Sequence, residues 1–423
     1  MNKHIVMDSA EGGAGASAER LNRGQRRLLG GLIRTNFSLF VVWGAVGLLL
    51  QAQVQELSPD NKEASYTLIA SAGAIIALFI SPIAGSVSDR TRSRFGRRTP
   101  WILMGSIGGG IGLLGIGSAN TLVQVFLGWI VVQITLNFMG SALMAILPDQ
   151  VPDKRRGLYA SMLAVGMGIG LAAGQIFASM IVPNFLLAYA VVAGIVFLGA
   201  AFFVVLNPGK SNLDEPREPY RWRQMLSTFW VNPIRHPDFA WAFLGRFCLN
   251  LGAAITGVFT FFVLQDYIGL THADALAAIP VLTLTALIFG VVTTALVGWI
   301  SDRVSRRRIF VSVGAGLGAV GMLIPLITPT LTGMIIGAAI GGVSAGTFHA
   351  VDLALITQVL PSSNDYGKDL GVINIATTLP QSMAPIIAGV IVAFLGGYPG
   401  LYWCGLVILT IAAASVWRIR SVR

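Results

Sequence analysis

The segment Gly85-Ser-Val-Ser-Asp89-Arg90 returns as Gly298-Trp-Ile-Ser-Asp302-Arg303, 213 positions further along a chain of 423 residues. Arginines follow each copy, up to Arg98 in the first and Arg308 in the second, and each copy sits between two long apolar runs. Arg34 is matched in the same way by Arg246, and the connection 148–157, ending in Gly157 before an apolar run, by 360–371, ending in Gly371. A chain that repeats at half its length, with apolar runs around each copy, is built from two similar membrane halves.

The apolar stretches read as twelve spans, at about 33–53, 65–87, 100–118, 121–146, 157–181, 186–206, 239–265, 275–300, 309–327, 331–355, 370–394 and 398–417. Each can cross a hydrocarbon core that needs about 20 residues. Only 11% of the residues are charged, against about 25% in soluble domains, and 50 are glycine, which lets helix backbones approach in lipid. The expected fold is an all-α polytopic membrane protein: twelve transmembrane helices in two pseudo-symmetric six-helix bundles. The bundles run over 33–206 and 238–417, with tails at 1–32 and 418–423 and a cytoplasmic linker at 207–237. Within the linker, Trp222, Met225, Leu226, Phe229 and Trp230 fall on one helical stripe, which reads as an amphipathic helix at headgroup depth.

A net charge of +10 raises the question of nucleic acid, and its placement argues against that partner. With the N-terminus in the cytoplasm, every one of the 29 lysines and arginines except Lys62 falls in or near a cytoplasmic segment. That bias sets orientation. The expectation is a multi-pass protein of the cell membrane, of the bacterial inner-membrane kind, with both termini cytoplasmic, surrounded by membrane lipids and monomeric. Residues 1–27 hold no apolar run, so no cleavable leader is expected. Cys248 and Cys404 both lie inside spans; they give neither a disulfide framework nor metal spacing, and no metal or cofactor is expected.

The Gly-x-x-x-Asp-Arg…Gly-Arg-Arg loop between spans 2 and 3 resembles the signature of the major facilitator superfamily, and the resemblance extends over the ordered chain. More narrowly, Ser88-Asp-Arg-Thr-Arg-Ser-Arg-Phe-Gly-Arg-Arg-Thr-Pro-Trp-Ile102 is similar to the glycoside–pentoside–hexuronide cation symporters and the sucrose-type transporters. The resemblance implies a central cavity lined by spans 1, 4, 7 and 10, with alternating access by rocking halves. Melibiose-type members carry acidic residues within span 2 for their cation site. Span 2 here has none between Tyr66 and Val87, which puts sodium coupling at that place in doubt.

Several side chains are candidates for the work. Asp89 and Asp302 each end a helix, where the dipole disfavours a carboxylate unless a partner compensates. The following arginines are one partner; the start of span 11 for Asp89, or of span 5 for Asp302, is the other. The second pairing would join the halves, making Gly85, Asp89, Arg90, Gly298, Asp302 and Arg303 a gate whose glycines allow close approach. Inside the membrane, ionisable groups are costly and point to function. Arg246 lies about 9 Å from the middle of span 7, Asp352 near the cytoplasmic end of span 10, and His349 one turn deeper. An Arg246–Asp352 pair reads either as a proton-coupling device or as a permanent ion pair.

Trp129, Gln133 and Asn137 share one face of span 4 at four-residue spacing. Trp43, Asn250 and Gln381 add an aromatic ring and two amides on spans 1, 7 and 11. Amides offer both donors and acceptors and aromatic faces pack on sugar C–H surfaces, so these residues suit a small hydroxylated solute. Interhelical hydrogen bonding is the other reading. Gly166, Gly170 and Gly174 form a small-residue packing face on span 5. The chain lacks metal-ligand clusters, nucleophile–base arrangements and a phosphate loop, so an enzyme is not expected. The reading is a secondary transporter of a small polar organic solute, a sugar or glycoside foremost, with protons as the candidate coupling ion. An exporter of a metabolite or drug, or a non-transporting sensor on the same fold, is the alternative.

Overall fold

The computed structural model describes residues 22–209, 211–214, 237–304, 307–359 and 366–418, all helical or irregular. The linker stripe at 222–230 lies outside the described residues. Among the described residues, twelve helices are long and apolar enough to cross a membrane. They are α1 (Arg23–Leu57), α2 (Lys62–Arg90), α3 (Thr99–Gly117), α4 (Leu122–Gln150), α5 (Asp153–Ile181), α6 (Phe185–Leu206), α7 (Pro237–Gly257), α8 (His272–Val304), α9 (Arg307–Ile327), α10 (Leu331–Val359), α11 (Tyr366–Phe394) and α12 (Gly397–Val416).

Several helices run a few residues past the spans read from the sequence, and two larger differences stand out. Helix α1 begins at Arg23, inside the segment read as a tail. A capping box starts it there: Gln25 N donates to Asn22 Oδ1 at 2.8 Å and Asn22 N donates to Gln25 Oε1 at 3.1 Å. The seventh span is broken rather than continuous. Helix α7 ends at Gly257, a single turn Thr260–Phe262 follows, and a π turn runs over Val263–Tyr267. Gly257 is a weak helix former, and the Thr260 hydroxyl donates back to its carbonyl at 3.1 Å. Phe259, Phe261 and Phe262 are all fully buried by this break.

The repeat in the sequence becomes a repeat in packing. In the first half α1 packs on α5 and α6, α2 on α4, and α3 on α4 and α6. In the second half α7 packs on α11 and α12, α8 on α10, and α9 on α10 and α12. The two bundles are joined by two equivalent crossings, α2 on α11 and α5 on α8. The glycine face of α5 packs on α1. A Cβ at Gly170 would lie 2.6 Å from the Phe37 carbonyl oxygen, and one at Gly174 would lie 2.7 Å from Ala45 N. Backbones approach this closely only where side chains are absent.

The halves are sealed together at the end that carries Lys62. Lys62 Nζ lies 2.8 Å from the Asp266 carboxylate. Gln55 and Gln265 exchange amide hydrogen bonds at 2.8 and 3.0 Å, and Phe261 N donates to Gln51 Oε1 at 3.3 Å. The Tyr398 hydroxyl lies 2.7 Å from Glu63 and 2.9 Å from Asp266. Beneath this polar layer Tyr66 packs edge-on against Phe259 and Phe262. Burial pushes the Tyr267 phenol above its ordinary range, so it stays a donor, to the Pro325 carbonyl at 3.0 Å. Deeper in, Thr283 of α8 donates to Gln175 of α5 at 2.7 Å.

Candidate functional site

The first copy of the repeated motif is organised by Arg98. Its guanidinium binds Asp89 at the end of α2 (2.5 Å), Asp149 at the end of α4 (2.9 Å) and the Ser88 hydroxyl (3.1 Å). Arg98 is buried, whereas the Asp89 side chain is 58% exposed. A planar guanidinium with several fixed donors is suited to bridging two carboxylates. Each carboxylate ends a helix whose dipole disfavours it, and Arg98 compensates both. Of the two partners expected for Asp89, the structure shows the arginine within its own half. The start of span 11 around Lys368 and Asp369 has side chains outside the described residues.

The loop itself is held firmly. Trp101 Nε1 donates to Thr91 Oγ1 at 2.7 Å, and the Trp101 ring stacks on Phe138. Asn212, just after α6, accepts from Ser93 N and donates to the Thr91 carbonyl at 3.0 Å each. Arg92 bonds back to the Asp89 carbonyl at 3.4 Å. In the second copy, the Arg303 guanidinium sits 3.7 Å over the Trp299 ring, and Arg308 donates to the Trp417 carbonyl at 2.7 Å. The side chain of Asp302 lies outside the described residues. A Cβ at Gly85 or Gly298 would meet nothing within 4 Å, so neither glycine is at a close approach in this conformation.

Between the halves, the aromatic and amide candidates divide. Trp43 of α1 and Trp129 of α4 meet edge-to-face, with centroids 6.1 Å apart. The Trp129 indole N–H is buried against Gly73 of α2 without a hydrogen-bond partner among the described residues. Gln133 and Asn137 are not isolated. Asn137 Nδ2 donates to the Gln133 carbonyl (2.7 Å) and side chain (3.1 Å), and Ser81 of α2 donates to Asn137 Oδ1 (3.0 Å). The Ser141 hydroxyl donates to the Ser81 carbonyl at 3.2 Å. These residues therefore join α2 to α4, and the half-exposed Asn137 sits at the edge of that seam.

On the other side, Arg246 Nε donates to Thr377 of α11 at 2.9 Å, and Asn250 Nδ2 donates to the Arg246 carbonyl at 2.8 Å. Gln381 is exposed, and so is His349, whose ring packs on Phe348 at 5.8 Å. The side chain of Asp352 lies outside the described residues, and with it the Arg246–Asp352 pairing. Among the described residues no three His, Cys, Asp or Glu side chains gather as metal ligands would.

Sequence reasoning left Arg98 and Asp149 out of the gate, although both stand in the motifs it singled out. It also passed over Lys62, Glu63, Asp266 and Tyr398. These come from the two halves, so no local spacing marks them.

The chain matches the family model described as Major Facilitator Superfamily over residues 32–297 and again over 281–423. It is similar to the sucrose transport protein SUC4 of Arabidopsis thaliana, 29% identical over 155 residues, which is 31% of this chain and 30% of that protein. The match therefore spans less than a third of that relative's length. Among solved structures, a bacterial homologue of the human lysosomal transporter Spinster, inward-facing and occupied, superposes with a TM-score of 0.69 at 16% identity, covering 94% of this chain and 97% of that one. A point mutant of the nucleoside transporter NupG gives 0.69 at 14% identity, covering 93% and 98%.

Proposed function

Because this chain belongs to the Major Facilitator Superfamily and is a multi-pass membrane transporter of a small-molecule solute, we propose that its solute is a sugar or glycoside, moved by alternating access with protons as the coupling ion. The observation that supports the sugar reading is the half-exposed Asn137 on α4, with Gln133 and Trp129 buried behind it on the same helix face. Trp129 is set against Trp43, and Gln133 and Asn137 follow at successive turns of the same face. Rings beside amides serve the C–H faces and hydroxyls of a pyranose together. The partial likeness to a plant sucrose transport protein supports the same substrate class.

The seal at the Lys62 end supports alternating access. Its polar pairs are each weak enough to exchange for water when the seam opens. With the charge bias placing Lys62 outside, this conformation reads as closed to the outside. The gate at Asp89 and Asp302 then belongs to the opposite state, where the open space at Gly85 and Gly298 closes. In the proton reading, Asp352 takes up a proton, releases Arg246 and shifts the balance between the two states.

Uptake of labelled sugars and glycosides into proteoliposomes, with and without an imposed pH gradient, tests both parts. Asp352→Asn is expected to abolish gradient-driven accumulation and to spare counterflow; equal loss of both removes Asp352 from coupling. Nucleoside uptake without any sugar uptake overturns the sugar reading.

A further inference from the structure

Arg34 of α1 and its counterpart in the repeat, Arg246 of α7, point to different surroundings. Arg246 turns into its own bundle and donates to Thr377 of α11. Arg34 is exposed on the flank of α1, with its guanidinium 5.1 Å from the centre of the Phe202 ring of α6. The side chain folds back towards the start of α1: its Nη1 lies 3.7 Å from where a Cβ on Gly30 would be. Arg27, also exposed, donates to the Val205 carbonyl of α6 at 3.4 Å. Phe202 and Val205 are about one turn apart, so the two guanidinium groups gather at the same end of α6.

The helices around them carry no opposite charge. Helix α1 has no acidic residue, α5 has none after Asp153, and α3 and α6 have none at all. The next acid after α6 in the sequence, Asp214, follows Asn212, which is bonded to the α2–α3 loop at Ser93 and Thr91. An arginine at the lipid boundary is costly without an anion. Along α6 from the arginines runs an apolar strip: Leu198, Phe202 and Val205 share one face and are 65%, 43% and 74% exposed. The packing beneath is tight, with Thr35 donating to the Gly199 carbonyl at 3.1 Å and a Cβ on Gly31 reaching within 3.0 Å of the Phe203 ring.

We propose that the α1–α6 flank binds an anionic phospholipid, in the leaflet at the end opposite Lys62. Arg27 and Arg34 hold its phosphate, and an acyl chain lies along Leu198 and Phe202. Two fixed cations above an apolar strip complement such a lipid in both charge and polarity. The site is independent of the solute and of the coupling ion.

Titration of the purified full-length protein in a neutral detergent, with phosphatidylglycerol or with phosphatidylcholine of the same chains, tests it by native mass spectrometry. Phosphatidylglycerol is expected to bind about tenfold or more tightly. Arg34→Gln and Arg27→Gln are each expected to weaken its binding about fivefold, so the test survives if one variant fails to fold. Arg418→Gln removes the same charge from the same kind of contact, over the Trp241 ring at 5.9 Å. It is expected to change the affinity less than about twofold, because it lies in the other bundle. Equal binding of the two lipids overturns the proposal. So does equal weakening by Arg34→Gln and Arg418→Gln, which would reduce the attraction to net charge, or retention of full affinity by both α1 variants. Excess inorganic phosphate is expected to leave the lipid bound; its displacement would make this a site for a free anion and overturn the lipid assignment.

Discussion

Lys62 and Asp266 form an ion pair at 2.8 Å that crosses from one half of the molecule to the other. It sits in the seal that holds one end of the seam shut, with Tyr398 and Glu63 beside it. The Lys62 side chain is 13% exposed and that of Asp266 34%, so the pair is partly screened and worth no more than about 1 kcal/mol. Lys62→Ala is therefore expected to shift the balance towards opening at that end by about three- to fivefold. A cysteine placed at Asn250 and labelled by a membrane-impermeant thiol reagent reads the shift. An unchanged labelling rate would show that the pair does not help hold the seal.

Arg98 predicts a different kind of loss. Its removal leaves two carboxylates facing each other at two helix ends, one of them three-quarters buried. Arg98→Ala is expected to lower thermal stability in detergent by about 2–3 kcal/mol, less than for a fully buried pair because Asp89 is exposed. Arg98→Lys keeps the charge but not the fork, and falls between the two. Asp149→Asn should cost more than Asp89→Asn, in the order of their burial; the reverse order would place the main support at Asp89.

The glycines separate packing from gating. Gly170→Leu puts a side chain into the α1 backbone near the Phe37 carbonyl and is expected to prevent folding, seen as loss of a monodisperse peak on size-exclusion chromatography. Gly85→Ala and Gly298→Ala meet open space and should leave the melting temperature within about 1 °C of the parent. If the gate closes at these glycines in the opposite state, the same alanines slow turnover. Unaltered turnover in both would remove the glycines from the gate.

Asn137 and Asn250 are the same amide in similar apolar sequence and are bonded differently. Asn137→Ala removes the Ser81 bond that joins α2 to α4, together with bonds to Gln133 within α4, and is expected to cost about 1–2 kcal/mol of stability. Asn250→Ala removes one bond to its own helix and should cost less than about 0.5 kcal/mol. If both contact the solute, both raise KM; a raised KM for Asn250→Ala alone would assign Asn137 to structure.

Much of the architecture could be read from the chain because bilayer physics is simple. A twenty-residue apolar run in lipid must be a helix, and the recurrence of Gly85–Arg90 at Gly298–Arg303 announces two similar bundles. The glycine face of α5 was visible as spacing, and its partner, α1, only in the fold. Bonds between distant segments were not legible. Arg98 and Asp149 are 51 positions apart and Lys62 and Asp266 are 204, and no spacing rule links either pair. The start of α1 was misplaced because the Asn22–Gln25 box lies in polar sequence ahead of the apolar run. The break after Gly257 was missed because Phe259–Leu264 is as apolar as the helix before it.

Cross-linking the seal tests alternating access most directly. With cysteines at Lys62 and Asp266, a short thiol-reactive cross-linker should stop uptake of the preferred glycoside into proteoliposomes. A cleavable version of the same linker should restore it on reduction. Undiminished uptake by fully cross-linked protein would contradict the account, because the solute would then cross without the seam opening at that end.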